Sequence, residues 1–162
     1  MHIEFIKNGD VFTTKEDVIL KTELGSCVSL CLWDPIRKIG GMNHYLLPTR
    51  TEIRKNPTEF GDYSNKALIQ AMVLKGSKIG DMRGVIFGGA SLRLLTDRFR
   101  VGEKNIQIAE EIVRAYRIPI LYRFTGGNFS RSIRFINFDG LIELKEIEMN
   151  TGIAYSQTLR LK

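Results

Sequence analysis

Two side chains in this chain of 162 residues could perform acyl-transfer chemistry together. Cys27 stands in "LGSCVSLCLWDP" (24–35), at the mouth of an apolar run, and His44 stands in "IGGMNHYLLP" (39–48). A cysteine that only packs belongs inside such a run, as Cys31 does. A thiol becomes a nucleophile when a base takes its proton, because the thiolate is the reactive form. The other histidine, His2, lies at the N-terminus, where order is least expected, so His44 is the candidate base. Gly25 frees the backbone to turn tightly, and the Gly25-Ser26-Cys27 turn can leave N–H groups unpaired to hold an oxyanion. A third group would orient the base. Thr22 and Ser26 offer hydroxyls for that task, whereas Asn43 and Tyr45 would point to the opposite face of a strand carrying His44.

These residues need elements to position them. Short apolar runs predict strands over 18–20 and 28–33. Asp34 and Pro35 then predict a turn, followed by a returning strand over 39–47 that Pro48 ends. The resulting hairpin carries His44 back towards the Cys27 end and leaves open whether the two side chains share a face. The stretch 48–62 is polar, holds two prolines and reads as a binding or active-site loop. A helix is expected from near Tyr63, with Asp62 as its cap and Gly76 as its stop, and a second near 103–116. Further strands are expected over 84–91, 118–124, 132–138 and 141–147, with Asp139-Gly140 as a two-residue hairpin turn. The glycine pairs in "FGGAS" (87–91) and "FTGGN" (124–128) read as turns at strand ends, and neither is a phosphate loop. The fold class is α/β: a single-domain sandwich with a mixed, largely antiparallel sheet and two main helices. Residues 1–150 make the domain, and 151–162 a polar C-terminal tail expected to be loosely held.

Composition narrows the function classes. Along an extended strand Cys27 and Cys31 lie roughly 13 Å apart, too far for a disulfide. Two Cys and two His without CxxC or HxxxH spacing give no reason to expect a structural zinc site, and the acyl-transfer chemistry of a Cys–His pair calls for no cofactor. Neither a signal peptide nor an apolar run of membrane-spanning length is visible, which points to a cytoplasmic protein without membrane insertion. The net charge of +6 comes from scattered Lys and Arg residues. That pattern lacks the basic run or motif of a nucleic-acid binder and reads as a solvated surface, with an acidic protein partner as the functional alternative.

The stretch "LGSCVSLCLWDPIRKIGGMNHYLLP" closely resembles the signature of the CheD family, the chemoreceptor glutamine deamidases of bacterial chemotaxis. "YSNKALIQAM", "FGGAS", "VGEKN", "TGGNFSRSIRF" and "DG" follow in the family's order, so the resemblance covers roughly residues 10–145. It implies a fold similar to the catalytic domain of the cytotoxic necrotizing factors. It also implies hydrolysis of glutamine side-chain amides on methyl-accepting chemotaxis proteins, with receptor methylesterase activity in some members. The implied partners are the cytoplasmic domains of those receptors and a CheC-type phosphatase. Carried onto this chain, the nucleophile falls on Cys27, the histidine on His44 and the third, threonine member on Thr22, with His44 lowering the pKa of the thiol. One departure is Phe124 before Thr125-Gly126-Gly127, where relatives often have aspartate. The alternative reading is a docking module for receptors or a CheC-type phosphatase, with catalysis weak or absent.

Overall fold

The computed structural model describes residues 2–50, 56–91 and 100–161. Their ten strands form two five-stranded sheets that pack face to face. The first sheet runs β1(His2–Phe5), β3(Val18–Leu24), β8(Phe129–Ile136), β9(Leu141–Glu148), β10(Ala154–Arg160). The second runs β2(Val11–Thr14), β5(Ile39–Asn43), β4(Val28–Asp34), β6(Arg83–Gly88), β7(Ile120–Thr125). Each sheet has one parallel pair, β1 with β3 and β6 with β7, and is otherwise antiparallel. Helices α1(Gly61–Leu74) and α2(Val101–Ala115) cover the outer face of the second sheet.

These three layers explain why "VSLCLW" is apolar without alternation. β4 is central and buried along its whole length, with one face on the helices and the other on the first sheet. Val28, Leu30 and Leu32 pack with Leu68, Met72 and Ile112 of the helices. Cys27, Cys31 and Trp33 pack in the layer between the sheets with Leu20, Leu24 and Phe135. The Asp34 carboxylate turns the chain as its residue type suggests, accepting the Ile36 and Arg37 N–H groups at 2.9 and 3.1 Å.

Four expectations are corrected. Helix α1 begins at Gly61, so Asp62 lies inside the first turn and caps nothing; its carboxylate accepts the Arg50 N–H instead. The other end behaves as expected: Gly76 and Ser77 N–H groups bond Val73 and Met72 carbonyls at 2.9 and 3.0 Å, with Gly76 at φ 112°. The β8–β9 connection has four residues, 137–140, because Asn137 is drawn away to donate to the Glu16 carbonyl at 2.9 Å and accept the Trp33 indole N–H. The returning strand of the first hairpin ends at Asn43, not 47. There the Asn43 side chain takes the Leu30 N–H at 2.7 Å, and His44 pairs with Gly9 and Asp10. Finally, the tail expected to be loose contains β10, paired with β9 from Ala154 to Arg160. Residues 51–55 of the expected loop lie outside the described residues.

Candidate active site

Gly25-Ser26-Cys27 is the corner at which the chain leaves β3 of one sheet and enters β4 of the other. Its three carbonyls are each held. The Ala90 N–H bonds Gly25 O at 3.0 Å, the Asn105 side-chain amide bonds Ser26 O at 3.0 Å, and the Gly89 N–H bonds Cys27 O at 2.8 Å. No acceptor among the described residues takes the main-chain N–H groups of Gly25 or Ser26, and that of Cys27 lies against its own Sγ. The positive φ angles that allow this approach are not at Gly25. They are at Gly88 (103°) and Gly89 (68°) in the facing turn, where a Cβ on Gly88 would meet Cys27 O.

The hairpin register settles the question of the shared face. Cys31 pairs with Met42 and Val28 bridges Tyr45, so His44 stands opposite Ser29. Cys27 precedes Ser29 by two residues and therefore lies diagonally across from His44 on the same face, the one turned to the first sheet. Asn43 and Tyr45 point the other way. Asn43 donates to Ser64 and Asn65 of α1, and the Tyr45 hydroxyl to Asn105 O at 2.5 Å.

From the opposite sheet, β3 presents Thr22. Its Oγ1 donates to Ile6 O at 2.7 Å and lies 2.9 Å from His44 Nδ1, which is itself 3.3 Å from Ile6 O. Two acceptor atoms therefore face one ring nitrogen, which fixes the tautomer. The Thr22 proton is committed to Ile6, so Nδ1 carries a hydrogen and Nε2 keeps its lone pair. His44 is 8% exposed and Thr22 3%, beside an open cleft of about 380 Å³ that Phe5, Lys7, Lys21 and Glu23 also line. The other candidate orienter, Ser26, offers its hydroxyl to no described partner.

Burial dominates the electrostatics of this pair. It lowers His44 below the ordinary imidazole value, against smaller upward contributions from Ile6 O and the Asp10 carboxylate. It raises the Cys27 thiol, offset only in part by that residue's own N–H. The direction at Cys27 is thus opposite to the lowering expected from His44, and both shifts favour the uncharged forms of the two groups. Cys31, wholly buried, is pushed up much further and is inert. No group of three or more His, Cys, Asp or Glu among the described residues could hold a metal.

Sequence reasoning missed two residues here. Asn105, fully buried in the first turns of α2, donates to Ser26 O and to Leu46 O at 2.9 Å. Arg131, 3% exposed, reaches Gly126 O at 2.8 Å, Gly88 O at 3.3 Å and the Glu146 carboxylate at 2.8 Å. It ties the two Gly-Gly turns together behind the corner. The only available signal for Asn105 was its place in "VGEKN", whose Gly102 lets α2 approach the Gly89 and Ala90 carbonyls. Phe124 stacks on Phe87 with ring centroids 5.9 Å apart.

Comparison with known proteins adds a second line of observation. Residues 46–146 match the family model described as CheD chemotactic sensory transduction. The chain is 36% identical over 147 residues to a probable chemoreceptor glutamine deamidase CheD of Sulfurimonas denitrificans, covering 90% of this chain and 94% of that one. It is 33% identical over 144 residues to a probable chemoreceptor glutamine deamidase CheD 1 of Anaeromyxobacter dehalogenans, covering 88% and 84%. Among solved structures, the hypothetical protein YfiH of Bacillus licheniformis aligns over 78% of this chain and 60% of its own, at 15% identity and a TM-score of 0.46.

Proposed function

Because the chain belongs to the CheD family, we propose that it is a protein-glutamine deamidase acting on the cytoplasmic domains of chemoreceptors, through Cys27 and His44. The observation that carries this reading is the 2.9 Å contact between Thr22 and His44, which gives His44 the tautomer a general base needs, on the strand face that the hairpin register shares with Cys27.

In the proposed reaction, Cys27 Sγ attacks the glutamine side-chain carbonyl carbon while His44 Nε2 takes the thiol proton. Proton transfer at the moment of attack suits two groups whose shifts both favour the uncharged form. Backbone N–H groups of the 25–27 corner receive the oxyanion. His44 returns the proton to the amide nitrogen, the C–N bond breaks and ammonia leaves a thioester. A water that gives its proton to His44 then attacks the thioester, releasing glutamate and restoring the thiol. The same acyl-enzyme could form from a receptor methyl ester with methanol as leaving group, which is how methylesterase activity would arise. Neither a metal nor an organic cofactor enters this scheme. Activity on receptor cytoplasmic domains places the protein in the cytoplasm, and a CheC-type phosphatase is the proposed second partner.

The test is incubation of the protein, and of Cys27→Ala, with a chemoreceptor cytoplasmic fragment from the same organism, read by mass spectrometry for glutamine turning into glutamate. Conversion by the wild type alone is expected. Full conversion by Cys27→Ala ends the mechanism, and binding without conversion by the wild type points to a docking module instead.

A further inference from the structure

We infer that Asn105 is the positioning residue that aims the oxyanion-binding amide of Cys27. This rests on the Cys27–His44 deamidase reading above and adds to it a residue outside the Cys27, His44 and Thr22 set.

The peptide unit between Ser26 and Cys27 is planar and trans, so its C=O and N–H point in opposite directions. Whatever holds Ser26 O therefore decides where the Cys27 N–H points. Asn105 Nδ2 holds Ser26 O at 3.0 Å, on the α2 side of the second sheet, which turns the Cys27 N–H towards the opposite face, where the Cys27 side chain packs. An oxyanion formed by attack of the Cys27 sulfur would meet this N–H. The neighbouring peptide is aimed in the same way by a different donor: the Ala90 N–H holds Gly25 O and so turns the Ser26 N–H to the other side.

Asn105 also acts where the hairpin can no longer hold itself. The last backbone pairing between the two strands is Val28 with Tyr45, and Cys27 lies beyond it. Across that gap the second Asn105 hydrogen goes to Leu46 O at 2.9 Å, and its main-chain O accepts the Tyr45 hydroxyl. One side chain thus pins the nucleophile corner to the segment that carries His44. Both hydrogens of the amide are used, while the buried Oδ1 finds no partner among the described residues. An amide kept at the cost of an unpaired acceptor is present for its two donors. The site depends on α2 lying close. Gly102, one turn before Asn105, faces Gly89 O and Ala90 O, each 2.5 Å from where a Cβ would stand.

Asn105→Asp tests this, because a carboxylate of the same shape offers no donor and opposes both carbonyls. Deamidation of the receptor fragment should lose about 10²–10³-fold in kcat, the loss typical of one oxyanion donor, with KM within about threefold. Alkylation of Cys27 by iodoacetamide forms no oxyanion, so its rate per thiolate, read on the high-pH plateau of its pH profile, should stay within about twofold of wild type. A deamidation kcat near wild type overturns the inference. A parallel fall of alkylation and deamidation overturns it too, since Asn105 would then act on the nucleophile itself. If the aspartate variant does not fold, Asn105→Ala is read by the same two assays, and failure of both to fold assigns Asn105 to the fold alone. The wild-type and Cys27→Ala arms report separately on the deamidase reading.

Discussion

Thr22 does for His44 what no charged residue in this site does. It accepts from Nδ1 while giving its own proton to Ile6 O, so the ring is oriented and its tautomer chosen without any carboxylate touching it. The neutral arrangement fits the electrostatics. A buried imidazole with no contacting anion loses its proton readily, and its value falls below the usual 6.5. The acid limb of the kcat/KM profile for deamidation should therefore lie below pH 6.5, with activity lost only as pH falls through the lowered His44 value. Thr22→Val keeps the shape but leaves only the longer 3.3 Å contact to Ile6 O. It should lower the plateau of that profile about tenfold, ~1.4 kcal/mol of barrier. A plateau unchanged by Thr22→Val would show that Ile6 alone orients the ring. The same burial links folding to pH. Between the lowered His44 value and 6.5 the unfolded chain binds the extra proton, so stability falls as pH drops through that window and is retained above it.

At the scale of elements, the corner 25–27 is held by two segments distant in sequence, the 88–90 turn and the first turns of α2, and the first of these is held in turn by the 126–127 turn and Arg131. Arg131 reads as one of many surface cations in the sequence, yet it is buried beside Glu146 and satisfies two glycine carbonyls. Arg131→Leu should cost about 3–5 kcal/mol of folding stability in urea or thermal unfolding, because it strands the Glu146 carboxylate and two carbonyls. A loss under about 1 kcal/mol would show that the two turns hold each other through their backbone bonds, Gly126 N–H to Gly88 O and Ser91 N–H to Gly127 O. The local punctuation was legible: the Asp34-Pro35 turn, both Gly-Gly turns, the Gly76 stop and the cysteine at the mouth of its strand. Residue types and period carry those. What was not legible is pairing at long range. Asn105 with Ser26 and Arg131 with Gly88 join residues 79 and 43 positions apart, and no periodicity encodes them, whereas Thr22 was a candidate for His44 through its hydroxyl and the family resemblance, with Ser26 as the other. The shared face of Cys27 and His44 sits between these cases, since a hairpin fixes its register but the position of its last pair decides the face.

At the scale of the whole molecule, the site lies where the two sheets exchange the chain, so its geometry depends on the packing of one sheet against the other. The end of the chain takes part in that packing. β10 is exposed along most of its length, which is why "AYSQTLR" shows no buried alternation and reads as a loose tail. Leu161, immediately after it, is fully buried in the layer between the sheets, and its N–H bonds Gly140 O at 2.8 Å. Leu161, with Leu159 packed against the same layer, thus anchors a strand that is otherwise exposed. Leu161→Ala should cost about 2–4 kcal/mol, the range for a buried leucine truncated in a layer that cannot collapse around the gap. Tyr155→Ala, at a side chain 49% exposed on the same strand, should cost less, because truncating it leaves no interior cavity. Thermal unfolding of the two variants separates the cases. Equal losses would mean that the β9–β10 ladder holds the end of the chain in place without its anchor. A larger loss at Leu161 would make residues 151–162 part of the inter-sheet core, so that a chain cut after Asn150 should lose stability as well as its edge strand.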